Sequence, residues 1–245
     1  MKKVLCVLFL ACLAGSGWGY EITFKDKPVK LSVNTPVPLV FNVGTVDLEE
    51  IAGQKMHLVV VDKDLEMMFH FSPVADAAGN FRQEVIFPEE DRYLLYFYFQ
   101  PVGSVPVVKI VPLDVGKRIN KFGTVRMYLE NEKRTADGDT VCFITDPEEV
   151  KEKTETMFTF ILAITKSGKP VKTLLPYAGR GAQLIAINAN QDVYLQTQSE
   201  EQGAATYGPE LHFKVTFPQK GMYKLWLEYR TKKKMNTIPF MLQVK

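Results

Sequence analysis

The sequence predicts an all-β chain of two tandem β-sandwich domains behind a short export signal, and three observations predict it. After residue 20, short runs rich in Val, Ile, Phe and Tyr alternate with clusters of Asp, Gly, Asn and Pro, the pattern of sandwich strands and their turns. No window in that stretch has the 3.6-residue periodicity of a long amphipathic helix. The third observation is an internal repeat. Val85, Phe87, Pro88, Tyr93 and Leu95 recur as Val215, Phe217, Pro218, Tyr223 and Leu225, each 130 positions later.

The chain begins Met1-Lys2-Lys3, continues with an apolar run over residues 4–14, and leaves it through Gly15-Ser16-Gly17-Trp18-Gly19. A basic start, a short apolar stretch and small exit residues predict a signal peptide over 1–19, cleaved near Gly19. The run is shorter than the roughly 20 apolar residues of a transmembrane helix, so no membrane span is expected in the mature chain. Lipoprotein processing at Cys12 is the other reading, but the bulky Phe9 and Leu10 before it fit poorly. Removing residues 1–19 takes Lys2 and Lys3 from 30 basic residues and leaves 28 against 28 acidic ones. The mature net charge is therefore zero, which withdraws the electrostatic case for nucleic acid or anionic lipid. Cys6 and Cys12 leave as well, so Cys142 alone remains and an intramolecular disulfide is excluded.

Strand-like runs lie at 39–43, 57–61, 93–99, 107–111, 141–145, 157–165, 223–229 and 239–244. Residues 147–156 are charged and read as a solvated loop. Leu58 aligns with Leu184 at an offset of 126, so the second unit carries extra residues between these segments. Domains are expected over 20–116 and 121–245, joined near 116–123. Within the first, residues 57–61 and 66–71 flank Asp62-Lys63-Asp64-Leu65 and predict a hairpin. Pairing Val61 with Glu66 sets Val59 opposite Met68 and His57 opposite His70. Alternate residues share a face, so His57, Val59, Met68 and His70 are expected together, with Met56 and Met67 on the core side.

The run Met56-His57-Leu58-Val59-Val60-Val61-Asp62-Lys63-Asp64-Leu65 and the later His70-Phe71-Ser72-Pro73 resemble a family of secreted bacterial proteins. Its members carry tandem Ig-like repeats with a His-Leu, Asp-Leu, His-x-His-Pro pattern. Gly79, Phe87-Pro88, Tyr93, Gly168-Lys169-Pro170-Val171, residues 174–179 and Thr237-Ile238-Pro239-Phe240 resemble further positions of that pattern. The resemblance implies Ig-like sandwiches, a periplasmic or secreted location and an association with heavy metals, copper above all. The departures are local. Ser72 replaces the second histidine of His-x-His-Pro, and Gln183, Gln196 and Gln198 stand 126 positions after His57, His70 and Ser72. Glutamine is a poor transition-metal ligand, so any metal site belongs to the first repeat.

Imidazole and thioether donors suit copper, which makes His57, His70 and Met68 the candidate metal ligands. The competing reading is that the two histidines only hydrogen-bond across the strands. His212 lacks such a partner in the sequence and reads as structural. Cys142 lies in an apolar β-type run, where a thiol is expected to be inert, and no nucleophile elbow or His-Glu-x-x-His motif is present. Tyr96 and Tyr98 are expected on the outer face of their strand, and Lys232-Lys233-Lys234 at a hairpin tip. The expected function is thus an exported, non-catalytic binding or structural protein, binding a transition metal through its first domain. A metal-independent module for an envelope protein partner is the alternative.

Overall fold

The computed structural model describes residues 19–25, 31–116, 140–163, 168–232 and 234–245, together with the backbone of 132–134, 139 and 164. The expected signal (save Gly19), most of the expected junction 116–123 and Lys233 lie outside the described residues. The described residues form strands and turns and no helix. They divide into two compact units, one up to residue 116 and one from residue 132 onward.

The first unit holds β1 (Thr23–Phe24), β2 (Pro36–Asn42), β3 (Leu48–Glu49), β4 (His57–Asp62), β5 (Met68–Phe71), β6 (Val74–Ala75), β7 (Phe81–Ile86), β8 (Asp91–Pro101) and β9 (Val107–Val115). One sheet runs β1-β2-β7-β6; the other runs β3-β8-β4-β5, with β9 on the remaining edge of β8. The alternation in β2 buries Val37, Leu39 and Phe41 between the sheets, where Phe41 meets Phe97 of β8 edge-on at 4.7 Å. Burying large aromatic side chains in this way supplies most of the energy of a sandwich core.

The second unit repeats the plan with β10 (Glu132–Arg134), β11 (Asp139–Asp146), β12 (Glu155–Ile164), β13 (Lys169–Pro170), β14 (Ala182–Asn188), β15 (Tyr194–Gln198), β16 (Glu210–Thr216), β17 (Gly221–Arg230) and β18 (Met235–Val244). Its sheets run β10-β11-β12-β13, with β16 also on β12, and β15-β14-β17-β18. Phe160 and Phe143 both pack on Phe240, at 5.5 and 5.3 Å.

The repeated Phe-Pro and Tyr residues now have a physical meaning. Tyr93 donates its hydroxyl to the Glu89 carbonyl (3.1 Å) and Tyr223 donates to that of Gln219 (2.8 Å). Their rings pack on Phe87 and Phe217 at 4.8 and 4.7 Å. A tyrosine at this corner, hydrogen-bonded a few residues upstream, is the signature of Ig-like sandwiches. Both domains are such sandwiches.

The repeat also reaches further than the sequence shows. Thr23 and Phe24 pair with Asn42 and Phe41, and Cys142 and Phe143 pair with Ile161 and Phe160, the same contacts at an offset of 119. Residues 147–154 are a loop, as expected, but not a wholly solvated one. Val150 is buried and clasps Lys245 through its carbonyl, as Leu31 clasps Gly116.

Candidate functional site

The site is built on β4, whose six residues are all buried because β5 and β8 flank it. Leu58 and Val60 point into the core, so His57, Val59 and Val61 share the opposite face. Tyr96 and Tyr98 face the same way from β8, opposite Val59 and His57. Both stand on the outer face of β8, as expected, with Tyr96 fully buried and Tyr98 half-buried.

The observed register of the hairpin differs from the expected one by two residues. Val61 pairs with Met68 and Val59 with His70. The cause lies in the connection. Leu65 adopts φ +56° and is wholly buried, so the turn folds inward instead of closing at residue 66. Its N–H donates to the Asp62 carbonyl (3.2 Å), while the Met67 N–H donates to Asp62 Oδ1 (2.9 Å). A shift of two residues preserves the face but changes the neighbours. His57 and His70 therefore meet diagonally rather than directly. Met68 lies opposite Val61, four residues along the strand from His57, or roughly 13 Å. The structure brings two of the three candidate ligands together and leaves Met68 apart from His57.

The contact between the histidines is close. His57 Nδ1 and His70 Nε2 are 3.0 Å apart, with ring centroids 5.2 Å apart and planes inclined by 31°. On its other side His57 Nε2 lies 2.8 Å from the Ile51 carbonyl. Burial lowers the His57 pKa to about 4, and the charge of His70 pushes the same way, against the Ile51 hydrogen bond. His57 is only 2% exposed, so it is a neutral, desolvated imidazole at ordinary pH.

Sequence reasoning missed the Ile51 carbonyl, since a backbone oxygen has no side-chain signature. It is presented by a two-residue turn in which Ile51 and Gln54 exchange N–H···O bonds (2.8 and 3.1 Å). Ala52 and Gly53 have φ of 53° and 74°, the left-handed pair of a type I′ turn. A signal was present: Ala178-Gly179 stands 126 residues later, with φ of 50° and 79°, between Tyr177 and Arg180 bonded in the same way.

The second repeat keeps this scaffold and changes what it holds. Ile187 pairs with Tyr194 and Ile185 with Gln196, the same register at an offset of 126. Gln183 donates through Nε2 to Glu228 Oε2 (3.3 Å), and Tyr194 donates its hydroxyl to Gln196 Oε1 (2.5 Å).

Among the described residues, no group of three or more His, Cys, Asp or Glu is placed to hold a metal ion. His212 bonds Glu201 through Nδ1 (2.7 Å). Cys142 is half-buried on the outward side of β11, with Sγ 3.9 Å from the Ile161 carbonyl. Cys142 opposes Ile161 and His212 opposes Thr159 on the two flanks of β12. They are roughly 12 Å apart by strand geometry, too far to form a dyad. Lys232 and Lys234 lie at the β17–β18 tip, as expected. No helix among the described residues is long and apolar enough to cross a membrane.

No curated protein matches the sequence. Among solved structures, a membrane anchored protein from Corynebacterium diphtheriae is similar at 8% identity and a TM-score of 0.28, covering 92% of this chain and 57% of its own. The Yersinia pseudotuberculosis adhesin InvE shares 11% identity over 91% of this chain and 59% of its own, with a TM-score of 0.24. A Salmonella alpha-2-macroglobulin shares 10% identity over 93% of this chain and 15% of its own, with a TM-score of 0.28. The chain thus spans less than two thirds of the length of these structures. A family model matches residues 16–115 and 134–245, once for each repeat, and on that match the chain belongs to the family described as Domain of unknown function (DUF8832).

Proposed function

We propose that the chain is an exported, non-catalytic binding protein with mature domains over 20–116 and 121–245. In this reading a copper-type transition-metal ion is held between His57 and His70 of the first repeat. The observation that carries it is the 3.0 Å approach of two imidazole nitrogens, one from the buried His57 and one from the half-buried His70. Nitrogen ligands sit roughly 2.0–2.1 Å from such an ion, so two of them stand at most about 4 Å apart. Opening the pair by about 1 Å accommodates an ion in place of the shared proton. Imidazole donors suit copper, and Cu(I) is stable with as few as two. Met68 lies beyond His70 from His57, so the proposed site consists of two nitrogens and Met68 is left out of it.

The second repeat favours the other reading, a metal-independent module that binds an envelope protein. It keeps the same turns and register with Gln183 and Gln196 in place of the histidines, so the fold does not need imidazoles. Titration with Cu(I) and Cu(II) against a competing chelator separates the two. The variant carrying His57→Gln and His70→Gln copies the two glutamines of the second repeat and is expected to keep the fold. Its copper affinity is expected to fall by at least about 100-fold, since losing even an outer-shell partner costs 10–100-fold. Unchanged affinity sinks the metal reading. Retention of an envelope partner by the same variant then supports the interaction module.

A further inference from the structure

We infer that the Ile51–Gln54 turn is the positioning element of the histidine pair: its Ile51 carbonyl fixes the His57 proton on Nε2, so that His57 meets a ligand through Nδ1 and His70 meets it through Nε2. A carbonyl oxygen can only accept. At 2.8 Å from Ile51 O, His57 Nε2 therefore carries the hydrogen. The buried, neutral ring then has a bare Nδ1, which accepts from His70 Nε2 at 3.0 Å. The donors run in one direction, from His70 to His57 to Ile51.

The turn is rigid enough to impose this order. Its two mutual backbone bonds and two left-handed residues fix the direction of the Ile51 carbonyl. The second repeat builds the same turn at Tyr177–Arg180, where Gln183 replaces the imidazole and bonds Glu228 instead. The turn belongs to the scaffold, and its use as an imidazole anchor belongs to the first repeat. Histidines that ligate a metal commonly give their other N–H to a backbone carbonyl, which fixes tautomer and ring orientation.

The part that concerns a ligand rests on the metal reading above and has a definite proton balance. An ion bound at His57 Nδ1 and His70 Nε2 leaves the His57 proton where it is. The proton on His70 Nε2 leaves and His70 Nδ1 is protonated from solvent, so no net proton is released. Only one of the two rings changes tautomer.

Long-range ¹H–¹⁵N spectra of the full-length chain at pH 7 read this directly, with single His→Gln variants assigning the three rings. Without an ion, His57 is expected to show a protonated Nε2 and a bare Nδ1. On addition of Cu(I) without oxygen, His70 moves its proton to Nδ1 and His57 does not. Gly53→Val tests the turn, because a Cβ at Gly53 meets nothing within 4 Å and acts only through the φ of +74°. That variant is expected to lose the single His57 tautomer and about tenfold in Cu(I) affinity. Gly53→Asn, which tolerates the left-handed region, restores both. A His57 protonated on Nδ1 in the ion-free chain, or a Gly53→Val spectrum identical to that of the unaltered chain, overturns the inference. If Cu(I) shifts neither ring, the metal reading fails, while the ion-free spectrum still decides the tautomer.

Discussion

At residue 57 the first repeat buries an imidazole against a backbone carbonyl, and at residue 183 the second buries an amide against a carboxylate. The backbone around the two is the same, down to the left-handed residues Ala52, Gly53 and Leu65 and their counterparts Ala178, Gly179 and Gln191. Turns and strand register, rather than the polar residues they hold, therefore set the scaffold. The polar residues are the part that differs, and function is best sought there.

The largest expected effect tests the sameness. Phe87 and Phe217 are fully buried and pack at a steep angle on the corner tyrosines at nearly equal distances. Replacing either by Ala is expected to cost about 3–5 kcal/mol and to lower the melting temperature of its own repeat by more than 10 °C. Hydrogen exchange, which reports β8 and β17 amides separately, shows which repeat has weakened. A loss in one repeat several times that in the other breaks the equivalence of the corners.

The next effect tests the difference. His57 stays neutral in the folded chain down to about pH 4, whereas an unfolded histidine titrates near 6.5. The unfolded state takes up its proton first. The stability that neutral His57 contributes is therefore complete above pH 6.5 and is lost as pH falls toward 4. The window corresponds to about 3 kcal/mol. Urea unfolding of the first repeat at pH 7 and pH 4.5 should show most of this loss, and His57→Gln should remove it. Gln183 takes up no proton at the matching position. A first repeat whose acid sensitivity survives His57→Gln contradicts the assignment.

The sequence revealed these relations unevenly. Offsets of 130 and 126 were legible because chemistry preserved identities: the corner needs a Phe and a Tyr hydroxyl, and β4 and β14 share Leu58 and Leu184. The offset of 119 that relates β1 and β2 to β11 and β12 was not. There the core asks only for bulk, so Leu39 matches Phe158 and Leu31 matches Val150, while Phe24 with Phe143 and Phe41 with Phe160 are too few to announce a repeat. The shared face of His57 and His70 followed from period-2 alternation. Their register did not, because it depends on Leu65 folding inward, a tertiary event that a polar-looking connection conceals.

The corner hydroxyls offer a finer comparison. Burial raises the pKa of both Tyr93 and Tyr223 to about 12, so both remain donors at all ordinary pH values. Tyr→Phe at either position removes one hydroxyl-to-carbonyl bond and leaves the ring packing intact. Each is expected to cost about 1 kcal/mol, measured by denaturant titration. A marked asymmetry would show that one repeat compensates through other groups.

The smallest effect has the opposite sign and comes from the β4–β5 turn. Asp62 Oδ1 accepts the Met67 N–H at 2.9 Å, and Asn188 Oδ1 accepts the equivalent Val193 N–H at the same distance. An amide oxygen thus suffices where the first repeat uses a carboxylate. Burial raises the Asp62 pKa; the Met67 and Glu66 N–H groups oppose that shift, while Asp64 and Asp91 add to it. An acid with a raised folded pKa ionises first in the unfolded state. Its favourable contribution is complete below the unfolded value near 3.9 and is lost as pH rises through the folded value. At pH 7 the ionised Asp62 is therefore a net cost, and Asp62→Asn should stabilise the first repeat by something under about 1 kcal/mol. The gain should vanish at pH 3, where both side chains are neutral. Asn188→Asp should impose the mirror-image penalty on the second repeat at pH 7. Denaturation midpoints of both variants at the two pH values test this, because a gain that persists at pH 3 would have to come from packing rather than from charge.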